Sequence, residues 1–175
     1  MINRIKDSEA FLIFSGPKSD NRGSFTKMYS KSWLKDIYNF NPKESFSSIS
    51  YPKVLRGFHL QINEDSHSKI VSCLCGEILD VIVDLRKGIN FGKVYSVNLT
   101  AKLGNSIFIP KGYGHAFLNA SKHNALVNYI VDSEYSPKND VGVKWNSVNF
   151  NWPIKVPILS ERDNNFADIK DFPKL

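Results

Sequence analysis

Short apolar segments rich in β-branched and aromatic residues recur along the chain about every ten residues, and Gly, Asn, Asp and Pro separate them. Segments of this length and composition are typical of β-strands. The segments predicted as strands are Phe11–Phe14, Gly23–Tyr29, Val54–Leu60, Ile70–Leu74, Ile78–Leu85, Val94–Leu99, Ser106–Ile109, Ala116–Asn119 and Leu126–Val131. Many short strands at regular spacing favour an all-β antiparallel sandwich or barrel over alternating strand–helix units.

Length and composition indicate a single globular unit. A chain of 175 residues fits one domain at roughly 150 residues each, and 42% apolar content supplies a sizeable core. Apolar residues at helical spacing between Ser32 and Tyr38 predict one short peripheral helix, capped by Ser30 or Ser32. Later residues are polar and punctuated by proline. We therefore predict one domain over residues 1–175, with segment 136–175 wrapping the barrel.

The formal net charge of +6 is compatible with an anionic partner. The lysines are scattered and no nucleic-acid-binding motif is present, so a phosphate-bearing small ligand is favoured over nucleic acid. No apolar stretch approaches the roughly 18 residues of a membrane helix, and the N-terminus lacks the apolar core of a signal peptide. Cys73 and Cys75 are expected to be buried free thiols, which suits a reducing cytoplasm.

Polar residues with catalytic potential cluster near the end of the strand predicted at Val54–Leu60. His59 and Gln61 share one face, because side chains alternate across a strand. Lys69 stands ten residues after His59, and a hairpin would place the two on adjacent strands. From these residues alone, the alternative is a structural histidine and a solvated lysine.

Other polar residues also lie in or beside predicted strands. His115 follows a glycine-rich turn, where it could donate a hydrogen bond to a substrate oxygen or bond a loop carbonyl. Asp84 and Arg86 share a strand face and could pair to offset burial of the carboxylate. Tyr129 lies in an apolar strand, where a buried hydroxyl needs a hydrogen-bond partner.

Seven motifs follow one another in a fixed order between about residue 10 and residue 165. They are Asp20-Asn21-Arg22-Gly23-Ser24-Phe25, Val54-Leu55-Arg56-Gly57-Phe58-His59-Leu60-Gln61, Lys69-Ile70-Val71, Asp80-Val81-Ile82-Val83-Asp84-Leu85-Arg86, Ile109-Pro110 with His115-Ala116-Phe117, Tyr129 with Tyr135, and Trp152-Pro153 with Leu159-Ser160-Glu161-Arg162-Asp163. In this order they resemble the dTDP-4-dehydrorhamnose 3,5-epimerase family. The resemblance implies a cupin-like jelly-roll barrel of antiparallel strands with a few short peripheral helices, usually assembled as a homodimer.

The resemblance implies epimerisation of dTDP-4-dehydro-6-deoxyglucose at C3 and C5, which gives dTDP-4-dehydrorhamnose for deoxysugar and polysaccharide biosynthesis. A ketone at C4 acidifies the protons on its neighbours, so such an enzyme needs a base, an enolate stabiliser and an acid on the opposite face. By position, His59 is the base, Asp163 orients it, Lys69 stabilises the enolate and Tyr129 returns the proton.

The resemblance also implies how the substrate, a nucleotide-diphosphate sugar, is held. The implied substrate-binding residues are Arg22, Arg56, Gln61, His115, Tyr135, Asp140 and Arg162. The guanidinium groups of Arg22 and Arg56 suit the pyrophosphate. Tyr135 would stack on the nucleotide base. Asp84 is implied as a supporting residue, and neither a metal nor an organic cofactor is implied.

The chain departs from the family's pattern at several positions. Lys27 replaces a usual Glu, the segment 44–50 does not match a Q-D-N stretch, His67 replaces a Gln and Ala116 a Gly. The first two departures concern nucleotide recognition, so the base is less defined than the proton chemistry. Open alternatives are a single-site epimerase, a 3,4-ketoisomerase on another nucleotide sugar, and a non-catalytic nucleotide-sugar binding module. The histidines lack the H-x-H spacing that a metal-dependent oxygenase of this fold would need.

Overall fold

A computed structural model describes residues 1–175, which form thirteen β-strands, one short α-helix and three 3₁₀ turns. The strands are β1 (Ile2–Arg4), β2 (Phe11–Phe14), β3 (Lys18–Asp20), β4 (Gly23–Phe25), β5 (Glu44–Ser50), β6 (Leu55–Gln61), β7 (Lys69–Cys75), β8 (Glu77–Asp84), β9 (Val94–Thr100), β10 (Asn105–Ile109), β11 (Tyr113–Leu118), β12 (Ala125–Val131) and β13 (Asp140–Gly142). The helix α1 is Glu161–Asn164, and the 3₁₀ turns are Lys31–Trp33, Asn63–Asp65 and Ile169–Asp171. None of these helices is long and apolar enough to cross a membrane.

Two sheets form the walls of a barrel. The larger sheet has the strand order β1-β2-β10-β7-β12-β5, and the smaller has the order β13-β6-β11-β8-β9. Strands β3 and β4 form a separate hairpin. All pairings between these strands are antiparallel. The predicted all-β antiparallel fold is therefore confirmed.

The main core fills the space between the two sheets. Residues facing inward from both, such as Val71, Ile82 and Phe117, are completely buried in it. A second apolar cluster covers the outer face of the smaller sheet, where Phe58 packs with Val143 and with other residues of the C-terminal segment. This segment thereby brings α1 against β6.

Three local predictions need correction. The strand predicted over Gly23–Tyr29 ends at Phe25, and the helix predicted from Ser32 to Tyr38 is one 3₁₀ turn at Lys31–Trp33, preceded by Ser30 without a side-chain cap bond. Trp33 packs partly buried against an apolar cluster, so tertiary packing holds this segment without a regular helix. The sequence did not reveal β5, because its composition is dominated by serine rather than by apolar residues.

The predicted hairpin between His59 and Lys69 is wrong. β6 pairs with β11 and β13, whereas β7 pairs with β10 and β12 in the opposite sheet. The connection contains a 3₁₀ turn at Asn63–Asp65 and crosses between the sheets instead of closing a tight β-turn. His59 and Lys69 therefore face each other across the barrel rather than lying side by side.

The two cysteines differ in their surroundings. Both are free thiols, but only Cys73 is buried, and Cys75 is exposed. Cys75 is the last residue of β7, beside a register shift in the pairing with β12. Strand alternation alone would have put both side chains on one face, and the irregular end of the strand breaks that rule.

Candidate active site

A cavity of about 380 Å³ opens between the two sheets. It contains eight of the residues predicted to act on or bind a substrate: Arg56, His59, Gln61, Lys69, His115, Tyr129, Tyr135 and Asp140. The smaller sheet supplies one wall and the larger sheet the opposite wall, and the loop between β12 and β13 borders the mouth. A substrate in the cavity would therefore meet different side chains on its two faces.

His59 projects from β6 and pairs with a carboxylate 104 residues away. Its Nε2 lies 2.7 Å from Oδ1 of Asp163, and the other oxygen of Asp163 accepts a hydrogen bond from the Gly57 amide at 3.1 Å. Asp163 is held in the first turn of α1, where its amide donates to the Ser160 hydroxyl at 3.1 Å. Both oxygens of this buried carboxylate are thus satisfied, which fixes its orientation.

Burial raises the pKa of Asp163, but the hydrogen bond and charge of His59, the Gly57 amide and the Ser160 hydroxyl outweigh it and leave the pKa below its ordinary value. An ionised carboxylate only accepts hydrogen bonds, so Nε2 of His59 must carry the proton. This leaves Nδ1 of the neutral ring unprotonated, and a third of the side chain is exposed. His59 is therefore arranged as a base.

Lys69, the first residue of β7, is buried on the opposite wall. Burial lowers the pKa of its ammonium to about 8, while the charges of Asp140 and Asp80 act in the other direction. At neutral pH the group remains mostly protonated. A cation in such a poorly hydrated place can stabilise negative charge that develops on a nearby oxygen.

Tyr129 on β12 belongs to the same wall as Lys69. Its ring stacks on Phe46 of β5 with centroids 4.8 Å apart, and it meets His115 edge to face at 6.0 Å. Burial raises its pKa strongly, which the neighbouring Asp80 reinforces, so the phenol keeps its proton at all working pH values. Ser48 also lies beside the phenol. Tyr129 is thus a protonated acid facing the wall that carries His59.

His115 forms a second histidine–carboxylate pair, from β11 of the smaller sheet. Its Nε2 lies 2.7 Å from Oδ2 of Asp80, and both residues are buried. The remaining oxygen of Asp80 is buried without a partner. Burial lowers the pKa of His115 despite the adjacent carboxylate. The partner of His115 is therefore a buried carboxylate rather than the loop carbonyl that the sequence left open.

The charged residues predicted to bind substrate are not all in one place. Arg56 lines the cavity and is fixed by bonds to the Ser50 hydroxyl and the Ile49 carbonyl. Arg162 lies beside the cavity, paired with Asp140 at 2.7 Å. Arg22 does not reach this cavity, because it lies on the exposed β3–β4 hairpin and pairs with Asp20.

Asp84 is paired with Arg86, as their shared strand face predicted. Its carboxylate accepts two hydrogen bonds from the Arg86 guanidinium, at 2.9 and 2.7 Å, so the predicted pairing is confirmed. Arg86 also binds Glu9 and donates to the Tyr113 hydroxyl. This network lies outside the lining of the cavity and joins the N-terminal segment to the barrel.

Several residues that line the cavity were not predicted from the sequence. Glu44, Phe46 and Ser48 alternate along β5 and all face the cavity, which strand periodicity would have indicated had β5 been recognised. His67 also lines the cavity, and burial followed by the charge of Lys69 lowers its pKa to about 3, so the ring is neutral. No three His, Cys, Asp or Glu side chains are grouped so that they could hold a metal ion.

The fold and the cavity together define the class of protein, a cupin-like jelly-roll enzyme of the isomerase type. A sequence profile described as dTDP-4-dehydrorhamnose 3,5-epimerase matches residues 5–171. The chain belongs to this family.

Individual relatives agree over nearly the whole chain. The dTDP-4-dehydrorhamnose 3,5-epimerase of Shigella flexneri is 33% identical over 173 residues, with 94% of each chain covered. The crystal structure of the Elizabethkingia anophelis enzyme of that name superposes with a TM-score of 0.89, at 31% identity, covering 98% of this chain and 97% of the other. The Legionella pneumophila enzyme, solved in complex with dTDP-4-keto-L-rhamnose, gives a TM-score of 0.92 at 26% identity, covering 99% and 94%.

Proposed function

We propose that this protein epimerises dTDP-4-dehydro-6-deoxyglucose at C3 and C5 and yields dTDP-4-dehydrorhamnose. The observation that carries the proposal is the placement of His59 and Tyr129 on opposite walls of one cavity. Inversion at carbon requires a proton to leave one face and return to the other, so base and acid must lie on opposite sides of the substrate.

His59 removes a proton from a carbon next to the C4 ketone. Its free Nδ1 accepts the proton, and the carboxylate of Asp163 stabilises the imidazolium that results. The electron pair released from the C–H bond moves toward the ketone oxygen and forms an enolate. The ammonium of Lys69 then stabilises the charge on that oxygen.

Tyr129 completes the inversion. Its phenol, protonated because of burial, donates a proton to the opposite face of the same carbon as the enolate collapses back to the ketone. The ring of His115, whose Nε2 is held by Asp80, accepts a hydrogen bond from a sugar hydroxyl at its Nδ1. Reorientation of the sugar would present the second carbon to the same pair.

The nucleotide half of the substrate lies at the mouth of the cavity in this proposal. The ring of Tyr135 is 60% exposed there and offers a flat face for the base. Arg56 and Arg162 supply positive charge for the pyrophosphate.

Proton NMR in D₂O with the dTDP-4-keto sugar tests this function. Deuterium entering at both C3 and C5 is the expected result, whereas entry at C3 alone would identify a single-site epimerase.

His59→Ala should abolish exchange at both carbons with little change in dTDP binding. Tyr129→Phe should lose product formation by about 100-fold and lose exchange less. Normal turnover by His59→Ala, or no exchange by the wild type, would refute the proposal.

We also propose a homodimer, formed from single domains of residues 1–175 in which segment 136–175 wraps the barrel. The β3–β4 hairpin is exposed, and the side chain of Phe25 at its end is 64% exposed, so the hairpin is available for contact with a partner. Arg22 on this hairpin does not line its own cavity, and in this proposal it serves the cavity of the partner. The two free thiols favour a reducing, cytoplasmic location.

A further inference from the structure

Gln61 ends β6 at the mouth of the cavity, and its amide is fully committed to the protein. Its Nε2 donates to the carbonyls of Asp65 at 3.0 Å and Glu134 at 3.1 Å. Its Oε1 accepts from the Ser136 amide at 2.6 Å. A glutamine has only two donor hydrogens, and both are in use. With 4% of its surface exposed, Gln61 has no free donor for a ligand.

A second side chain holds the same loop from the opposite sheet. Oε2 of Glu44, on β5, accepts a hydrogen bond from the Tyr135 amide at 2.9 Å. The three consecutive residues Glu134, Tyr135 and Ser136 are thus fixed through their main chain by one residue from each wall. The Tyr135 ring itself remains exposed, so the bonds fix where it stands without occupying it.

We propose that Gln61 is a positioning residue rather than a substrate ligand, and that Gln61 and Glu44 together clamp the loop 134–136 so that Tyr135 is held ready for the nucleotide. The proposal rests on the assignment of Tyr135 to the nucleotide in the proposed function. A loop that is ordered before binding loses less conformational freedom on binding, so the clamp contributes to affinity without touching the ligand. Chemistry at the sugar does not depend on it.

The test compares dTDP affinity by calorimetry with the kinetics of C3 exchange. Gln61→Met keeps the side-chain volume and removes the three hydrogen bonds. It should raise the Kd for dTDP and the KM about tenfold, while kcat stays within about threefold. Glu44→Ala removes only the bond to Tyr135 and should act in the same direction, and it serves if Gln61→Met does not fold.

The matched control is Asn119→Leu. Asn119 is also a completely buried amide whose nitrogen donates to two carbonyls, those of Ser50 and His123, but it does not line the cavity. Its replacement should lower stability in the same way and leave dTDP affinity unchanged. In a Tyr135→Ala background, Gln61→Met should weaken dTDP by less than about twofold, because the clamp acts through Tyr135.

The possible outcomes separate the two proposals. Weaker dTDP binding by Tyr135→Ala with normal binding by Gln61→Met would overturn the clamp and leave the proposed function intact. A kcat loss in Gln61→Met with unchanged dTDP affinity would make Gln61 a sugar ligand and also overturn the clamp. Normal dTDP binding by Tyr135→Ala would overturn both the clamp and the placement of the nucleotide.

Discussion

At the scale of single residues, the cavity depends on ionisable groups kept in unusual surroundings. Asp163 is buried yet ionised, because the Gly57 amide and the His59 ring each donate to one of its two oxygens. Tyr129 is half-buried, and the burial of its phenol keeps it protonated. Lys69 carries a charge at a place that disfavours charge, which costs stability and concentrates its effect on a neighbouring oxygen. The buried charge thus lowers the stability of the fold at the position where the chemistry needs a cation.

The pH dependence of exchange follows from Lys69. Since its pKa is lowered to about 8, the cation is lost as pH rises through that value, and exchange should fall on the alkaline side. Lys69→Met should slow exchange by about 100-fold at pH 7 and remove this alkaline limb. A pH–rate profile of both proteins checks this, and an alkaline limb that persists in the variant would assign it to another group.

Lys69→Met should increase the thermal stability of the fold although it slows exchange. Below pH 8 Lys69 is charged in the folded and unfolded states, so burial of the charge is a cost, and Lys69→Met should melt at a higher temperature than the wild type. Between pH 8 and about 10.4 the unfolded state binds more protons at this residue, so the wild type gains stability as pH rises. The difference in melting temperature should therefore narrow over that window.

At the scale of elements, a single helical turn supplies the carboxylate that pairs with His59. α1 contains only four residues, and the side chain of Ser160 caps it by accepting from the Asp163 amide. Such a short helix has little stability of its own. Its position against β6 is set by the cap, by the bond from Gly57 and by Arg162, whose guanidinium lies 5.2 Å from the Phe166 ring that meets His59 edge to face.

Removing the cap should affect both stability and rate. Ser160→Ala should lower the free energy of unfolding by about 1 kcal/mol. It should also slow exchange, because Asp163 loses the bond that holds its main chain. Ser160→Thr keeps the hydroxyl and serves as the control in denaturant titration and NMR exchange. Full-rate exchange by Ser160→Ala would show that the Gly57 and His59 contacts suffice to hold the carboxylate.

At the scale of the whole molecule, the barrel leaves the β3–β4 hairpin outside both sheets. Its residues are almost entirely exposed, and the Arg22 guanidinium has only Asp20 as a partner. A homodimer in which this hairpin reaches the partner's cavity would explain the exposure of the hairpin and the position of Arg22. Because a two-fold axis repeats each contact, each copy would supply its hairpin to the cavity of the other.

Mixing inactive variants tests this arrangement. Arg22→Ala and His59→Ala should each be impaired alone. In a mixed dimer, one of the two cavities would hold an intact His59 and receive an intact Arg22. Random exchange of subunits should therefore restore about a quarter of the wild-type sites. Sedimentation as a monomer of 19.9 kDa, or no recovery on mixing, would contradict the dimer.

The strand content could be predicted from local pattern, because a strand's composition and its period of two are properties of neighbouring residues. The pairing of Asp84 with Arg86 follows from the same parity. By contrast, β5 carries too few apolar residues to be recognised, and with it Glu44 and Phe46 were missed. The single-turn segment at Lys31–Trp33 shows the opposite error, since helical spacing did not yield a helix.

By itself, the sequence determined an all-β barrel, a family and the residue types needed to move protons beside a ketone. Only the tertiary structure decided that His59 and Lys69 lie on opposite walls, that Asp80 is the partner of His115, and that Arg22 lies outside its own cavity. The physical reason is that side-chain parity is fixed within a strand, whereas sheet order and register depend on contacts between strands far apart in the chain, which no local pattern encodes.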